Sequence, residues 1–133
     1  MIEGITVVNF AHPITERQRI QIETLAGQRV AKMVDVATQA DLGMPVEPQI
    51  ATLADQVPMS SDEWQTAQLV VNPPSLSILA AALLAELHGR MGYFPTLLRL
   101  RPETDAVPPR YEVAELVSLQ SVRDRARVRR QRA

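Results

Sequence analysis

The sequence predicts an α/β fold: a mostly parallel five-stranded sheet with the last strand antiparallel and helices on both faces. Short runs rich in Val, Ile and Leu alternate with stretches of helical periodicity, in the order β-α-β-α-β-α-β-β-α. Two capping-box patterns, Thr15 with Gln18 and Ser60 with Glu63, mark helix starts. The proline-rich break at 102–110 is too short for a crossover helix, so the strands flanking it should pair antiparallel.

The chain has the size and composition of a single globular domain, 1–133. Its 133 residues are 46% hydrophobic, and the absence of cysteine excludes disulfides and thiolate metal sites. No signal-peptide pattern opens the sequence, and its most apolar run, Leu76 to Leu87, is shorter than the roughly 20 residues that a bilayer requires. We therefore expect a soluble, cytoplasmic protein without a membrane partner.

The first βαβ unit is the clearest part of the pattern. Ile5 to Val8 reads as a buried strand, and the polar elbow from Asn9 to Pro13 leads into a helix over 15–26. Gly27 is the expected left-handed terminator of that helix, and a second strand follows at 29–36.

Prolines at 45, 48 and 58 forbid a long regular element in the middle of the chain. We expect one short helix at 49–56, a further helical turn after Ser60, and a third strand at 69–71. A second clear helix follows at 76–89. It is apolar on nearly every side, and such a helix must be covered on every side. A second subunit is the expected cover, which predicts a homodimer or larger homo-oligomer through Leu76 to Leu87.

The last third of the chain supplies a strand at 96–100, an antiparallel strand at 111–116 and a terminal Arg-rich helix at 118–133. The resulting order, 2-1-3-4 with strand 5 antiparallel, is that of a flavodoxin-like, Rossmann-like domain. In such sheets ligands bind where neighbouring crossovers diverge, here between strands 1 and 3.

Two polar loops meet at that crevice, Asn9 to His12 and Asn72 to Ser77. Helix-start amides stand behind both loops, so an anionic ligand is expected. Alternatively, the asparagines only bind turn backbone, as Asn often does at strand ends. The candidate binding residues are Asn9, Phe10, His12, Asn72, Pro73, Ser75, Ser77 and Arg101, the last as a phosphate clamp.

His12 is the one candidate for acid–base catalysis in these loops, and a structural hydrogen bond is its alternative role. His12 and His88 do not make a metal site, and neither G-x-G-x-x-G nor G-x-x-x-x-G-K follows the first strand. We therefore expect no metal and no cofactor.

The terminal helix is rich in arginine, whereas the formal net charge of the whole chain is -1. That balance gives no general attraction to nucleic acid, so no long nucleic-acid partner is expected. The arginines are compatible with a nucleic-acid arm and equally with a solvated helix face.

Four segments resemble a known family: 7–15 (VVNFAHPIT), 84–95 (LAELHGRMGYFP), 98–102 (LRLRP) and 109–120 (PRYEVAELVSLQ). Together they are similar to a small CRISPR-associated accessory family of type III systems, grouped with the candidate ring nucleases. The resemblance implies a CRISPR-associated Rossmann fold (CARF). Ala11 departs from the serine expected at that position.

The resemblance implies that the ligand is a cyclic oligoadenylate, cyclic tetraadenylate in particular, which such folds bind across a dimer. Asn9, Phe10, His12, Asn72 and Arg101 are the binding residues that it suggests. We expect a protein that sequesters this messenger. The alternatives are a metal-independent ring nuclease, in which a ribose 2′-hydroxyl attacks the neighbouring phosphorus, and a protein-interaction module without a small ligand.

Overall fold

A computed structural model describes residues 4–132 as one five-stranded sheet, in the order β2-β1-β3-β4-β5, with five helices. Strands β1 to β4 are parallel and β5 is antiparallel, which confirms the predicted fold class and strand order. The elements are β1 (Ile5–Asn9), α1 (Glu16–Ala26), β2 (Val30–Asp35), α2 (Val46–Asp55), α3 (Ser61–Thr66), β3 (Leu69–Asn72), α4 (Ser77–Met91), β4 (Thr96–Pro102), β5 (Tyr111–Ser118) and α5 (Leu119–Arg132).

Local capping chemistry fixes the helix ends that the sequence indicates. Thr15 and Ser60 both form complete capping boxes, and Gly27 takes a left-handed φ of 67° after α1. Helix α2 starts at Val46, three residues before the expected start, because Pro48 lies in its first turn, where no backbone donor is needed. Helix α4 continues through Gly89 and ends at Gly92, whose φ of 84° terminates it.

The helices cover the sheet unequally. Helix α1 packs on one face, here called the α1 face, over Val7, Val70 and Leu98. Helices α2, α3 and α4 share the opposite α4 face, over a larger cluster that includes Val8 and Val71. Because side chains alternate along a strand, neighbouring residues of β1 point to different faces.

Helix α4 is only partly covered within one chain. Leu79, Leu83, Leu87 and Met91 are buried against the sheet, and α2 and α3 pack beside them. Its far side leaves Ile78 56% exposed, with Ala81 and Ala85 also open to solvent. The α2 and α3 layer therefore supplies part of the cover that the sequence assigns to a second subunit. Within residues 4–132, no helix combines the length and apolar character needed to cross a bilayer.

Candidate functional site

A groove of about 330 Å³ lies on the α4 face, at the carboxyl ends of β2, β1 and β3. This is the predicted switch point, where the chain leaves β1 toward α1 and leaves β3 toward α4. The described residues that line the groove include no Asp, Glu, Lys or Arg. The lining residues are Phe10, Ala11, His12, Val36, Ala37, Thr38, Ala40, Leu42, Pro74, Ser75, Leu76 and Leu79.

Backbone hydrogen bonds continue the sheet past the strand ends and hold the groove walls together. The Phe10 amide donates to the Asn72 carbonyl, and the Val36 amide donates to the Asn9 carbonyl, both at 2.9 Å. The Thr38 hydroxyl donates to the Phe10 carbonyl at 2.8 Å. The three strand ends are thus joined side by side, with Phe10, 1% exposed, at their centre.

The Asn9 side chain links the elbow to the two neighbouring strands through four hydrogen bonds. Its side-chain amide donates to the His12 carbonyl at 2.9 Å and to Asp35 Oδ1 at 3.0 Å. Its side-chain oxygen accepts from the Ala11 amide at 3.0 Å and from Asn72 Nδ2 at 2.9 Å. Both N–H groups and both lone pairs of the oxygen are engaged, so the Asn9 side chain has no hydrogen-bonding capacity left for a ligand.

Asn9 and Asn72 also lie on the side of the sheet opposite the groove. They face each other in register across β1 and β3, and Asp35 stands at the same level on β2. Asn9 shares the α1 face with Val7, whereas Phe10 points to the α4 face. Both asparagines are buried, at 1% and 5% exposure. In this geometry Asn9 has the turn-binding role, through the Ala11 amide and the His12 carbonyl, whereas Asn72 Nδ2 donates to the Asn9 side chain.

The other loop candidates lie at the groove or beside it. His12 and Ser75 are exposed and line the groove, so both are open to a ligand. Pro73 is half-buried and precedes Pro74 of the groove lining, and Ser77 is the exposed first residue of α4. The structure thus brings Phe10, His12 and Ser75 together, and places Ser77 beside them.

The amino terminus of α4 opens onto the groove through Pro74, Ser75 and Leu76. Leu76 occupies the N-cap position, and no side chain caps this helix. The first amides of a helix have no intrahelical acceptor, and the positive end of the helix dipole lies there. Helix α1, in contrast, is closed by its capping box. An anionic group is therefore favoured at the α4 end of the groove.

Arg101 lies away from the groove. β3 and β4 pair Val71 with Leu97, so Arg101 stands about three residues beyond the level of Asn72. Its guanidinium donates to Glu112 Oε1 at 2.9 Å, and the neighbouring Arg99 binds Glu115 in the same way. These cross-strand ion pairs occupy the side chain that the sequence assigns to a phosphate clamp.

No family model, curated protein or solved structure matches this chain. Within the described residues 4–132, no three acidic or histidine side chains are grouped as metal ligands.

Sequence reasoning misses one wall of the groove. Ala37, Thr38, Ala40 and Leu42 follow β2 and face the loops after β1 and β3. Because β2 is parallel to β1, its carboxyl end lies at the same edge of the sheet. The predicted strand order therefore already contains the signal that points to this third loop.

The groove combines two kinds of surface. Ala, Val and Leu side chains suit a flat apolar group such as a nucleobase, and the start of α4 suits a phosphate. Thr38, Ser75 and His12 add hydroxyl and imidazole groups that can hydrogen-bond a sugar.

Proposed function

We propose that this protein binds a cyclic oligoadenylate, cyclic tetraadenylate in particular, and dampens type III CRISPR signalling by sequestering this messenger. The observation that carries the proposal is the groove at the β1–β3 switch point, where an uncapped helix start faces an apolar wall. A nucleotide needs both surfaces, one for its phosphate and one for its base. The family resemblance of the elbow and of the 84–95 segment supplies the identity of the nucleotide.

The size of the groove supports binding across two subunits. Its volume of about 330 Å³ lies at the lower end of the range for ligand pockets, roughly 300–1,000 Å³. One groove thus suits one nucleotide unit better than a ring of four. A symmetric ring is held most simply by a symmetric dimer, each copy offering the same loops.

The exposed apolar residues beside the groove support the same arrangement. Leu42 and Leu76 are 65% and 45% exposed on the groove rim, and Ile78, 56% exposed, is the second residue of α4. A second subunit or a bound base would remove these side chains from water. We therefore include a homodimer or larger homo-oligomer, formed through the 76–87 segment, in the proposal.

Sequestration is favoured over efficient cleavage because the groove lacks an acid–base pair. Of the lining residues in the described range 4–132, His12 is the one with a titratable side chain, and these residues include no carboxylate, lysine or second histidine. Without a partner to accept or supply the second proton, this histidine is a weak general acid–base catalyst.

A ring nuclease is the second candidate, and the exposed position of His12 on the groove rim favours it. Attack of a ribose 2′-hydroxyl on the adjacent phosphorus forms a 2′,3′-cyclic phosphate and breaks the bond to the 5′-oxygen of the next nucleotide, which takes a proton from water. This step needs in-line positioning and stabilisation of the developing charge. The amides at the start of α4 could provide that stabilisation, with His12 as the proton acceptor.

Isothermal titration of the full chain with cyclic tetraadenylate tests binding. We expect saturable heat at micromolar protein, with one ring per two chains, and weaker binding of linear tetraadenylate, which is not preorganised. Absence of heat at these concentrations would refute the proposal.

Product analysis separates the two candidates. Radiolabelled ring is incubated for an hour with excess protein, and the products are resolved on a gel. We expect intact ring to be recovered from both the wild-type protein and the His12→Ala variant. Linear products from the wild-type protein that are lost in His12→Ala would establish the nuclease instead.

A further inference from the structure

Helix α5 separates the charge of the molecule into two parts. It carries six arginines and one aspartate, whereas the rest of the chain has eight Lys and Arg against fourteen Asp and Glu. The near-neutral net charge is therefore an average over an acidic body and a strongly basic arm. An expectation based on net charge alone does not apply to the arm, here defined as Leu119–Arg132.

The arm is attached at its base and free along its length. The Leu119 amide donates to the Pro95 carbonyl at 3.3 Å, and Gln120 Oε1 accepts from the Phe94 amide at 2.8 Å. Beyond these contacts no residue of α5 is buried, and 122–132 are all exposed. The helix thus extends from the start of β4, and nothing within 4–132 forms a hydrophobic core with it.

Among the residues that the structure describes, most of the arginines also lack a carboxylate partner. Arg123 binds Asp124 at 2.9 Å, and within residues 4–132 no ion pair involves the other five. Fourteen residues span about 21 Å, so the distal arginines lie farther along the axis from the attached end of the arm than the Debye length of roughly 8 Å at physiological salt. The acidic body therefore does little to neutralise them.

The arginines form two rows on opposite sides of the helix. At 3.6 residues per turn, Arg123, Arg127 and Arg130 share one side, and Arg125, Arg129 and Arg132 share the other. A flat acidic surface can contact one row only. A groove with a line of phosphates along each wall contacts both rows at once.

From this arrangement we propose that α5 binds duplex DNA by lying in its major groove, with one arginine row against each phosphate backbone. The major groove of B-DNA is about 12 Å wide and admits an α-helix. Arginine guanidinium groups match phosphate oxygens in bidentate geometry. Binding of this kind follows the backbone and carries little sequence preference.

Fluorescence anisotropy with a labelled 24-base-pair duplex tests the proposal on the full chain. Six phosphate contacts predict a slope of about -5 for log K against log salt, which is a loss on the order of 10³-fold between 50 and 200 mM KCl. Replacing either row by glutamine should reduce the slope to about -3 and the loss to roughly 40-fold. Glutamine keeps the helix propensity, so the arm should stay folded, as circular dichroism would verify.

A matched control removes the same charge elsewhere. The triple variant Arg17→Gln, Arg29→Gln, Arg99→Gln changes three exposed arginines of the body and should retain the wild-type slope. Double-stranded RNA of the same length should bind more weakly, because its major groove is too narrow for a helix.

Several outcomes would overturn the proposal. One is that removing one arginine row leaves DNA binding unchanged while removing the other row abolishes it. That result would mean that only one face of α5 contacts its partner. Equal losses in the control triple variant, or equal affinity for RNA and DNA duplexes, would overturn it as well. The proposal would also be overturned if DNA did not bind and sedimentation showed salt-sensitive self-association that requires the arginine rows. That result would identify a second copy of the chain as the partner of α5.

Discussion

At the residue scale, the structure separates the side chains that build the groove from those that a ligand can reach. Strand alternation alone explains the difference, because Asn9 and Phe10 are neighbours that point to opposite faces. The sequence predicts that the two polar loops meet. It does not reveal on which face of the sheet the groove opens, because the packing of α2 and α4 over the same face decides this.

Replacing Asn9 tests whether its side-chain hydrogen bonds stabilise the elbow. Asn9→Ala leaves the Ala11 amide and Asn72 Nδ2 without their acceptor, and unsatisfied buried groups cost about 1–3 kcal/mol each. We expect a loss of about 2–4 kcal/mol in the free energy of unfolding by urea. Asn72→Ala, which deletes one side-chain hydrogen bond, should lose about 1 kcal/mol. The exposed Ser75→Ala should be nearly neutral, and an Asn9→Ala loss as small as that of Ser75→Ala would contradict the assigned role.

At the scale of elements, local chemistry is what the sequence expresses best. The capping boxes at Thr15 and Ser60, the terminator Gly27 and the short 102–110 break each predict a boundary or pairing that the structure contains. The α2–α3 region is harder because its position depends on packing against α4, which has no local signature. The same holds for Arg101, whose pairing with Glu112 depends on strand register.

The capping box of α3 predicts a specific pH response. Hydrogen bonds from the Ser60 amide, then from its hydroxyl, lower the pKa of Glu63 below its ordinary value of 4.5. A lowered pKa in the folded state means that the carboxylate stabilises α3 above the unfolded pKa and loses this effect as the pH falls through the folded pKa. A nuclear magnetic resonance titration should therefore place the Glu63 midpoint below its ordinary value of 4.5. The Ser60 amide shift should move at the same pH, and a Glu63 midpoint at or above 4.5 would contradict the capping contact.

Closing the start of α4 with a side-chain cap tests the anion site. The N-cap position has the extended backbone that a capping side chain requires, with φ -81° and ψ 125°. We expect Leu76→Asn and Leu76→Asp to be about 1 kcal/mol more stable than Leu76→Ala in urea unfolding. Affinity for cyclic tetraadenylate should fall in the order Ala, Asn, Asp, with at least roughly tenfold between the first and last, because the cap occupies the amides and Asp adds repulsion.

The charge-matched control for this series is Pro45→Asp, which places an acid at the start of α2. That helix also begins without a side-chain cap, and Pro45 does not line the groove. Its affinity should equal that of the wild-type protein. Equal affinity of Leu76→Ala and Leu76→Asp for cyclic tetraadenylate would mean that the amino terminus of α4 is not part of the binding site.

At the scale of the whole molecule, the sheet order puts three distinct surfaces in separate places. The groove occupies the carboxyl ends of β1 to β3, the basic arm extends from the start of β4, and the open side of α4 carries Ile78, Ala81 and Ala85. Composition and net charge average over all three. Only the order of the elements along the chain, combined with the strand order, separates them.

The open side of α4 makes the proposed dimer testable by charge insertion. Glutamate at Ala81 or Ala85 stays solvated in a monomer, so we expect the fold and its urea unfolding to change little. In a dimer formed through this side, the same glutamate would be buried without a partner. Dimer dissociation should then become easier on the order of 100-fold, which corresponds to about 3 kcal/mol. Analytical ultracentrifugation of both variants, with Thr52→Glu on the outer side of α2 as the control of equal charge, measures this difference.

Because the ring is proposed to lie across the two copies, the Ala85→Glu variant should also lose affinity for cyclic tetraadenylate although Ala85 does not line the groove. Unchanged association of both variants would place the dimer contact elsewhere, and a lost dimer with retained affinity would mean that one groove suffices for the ligand.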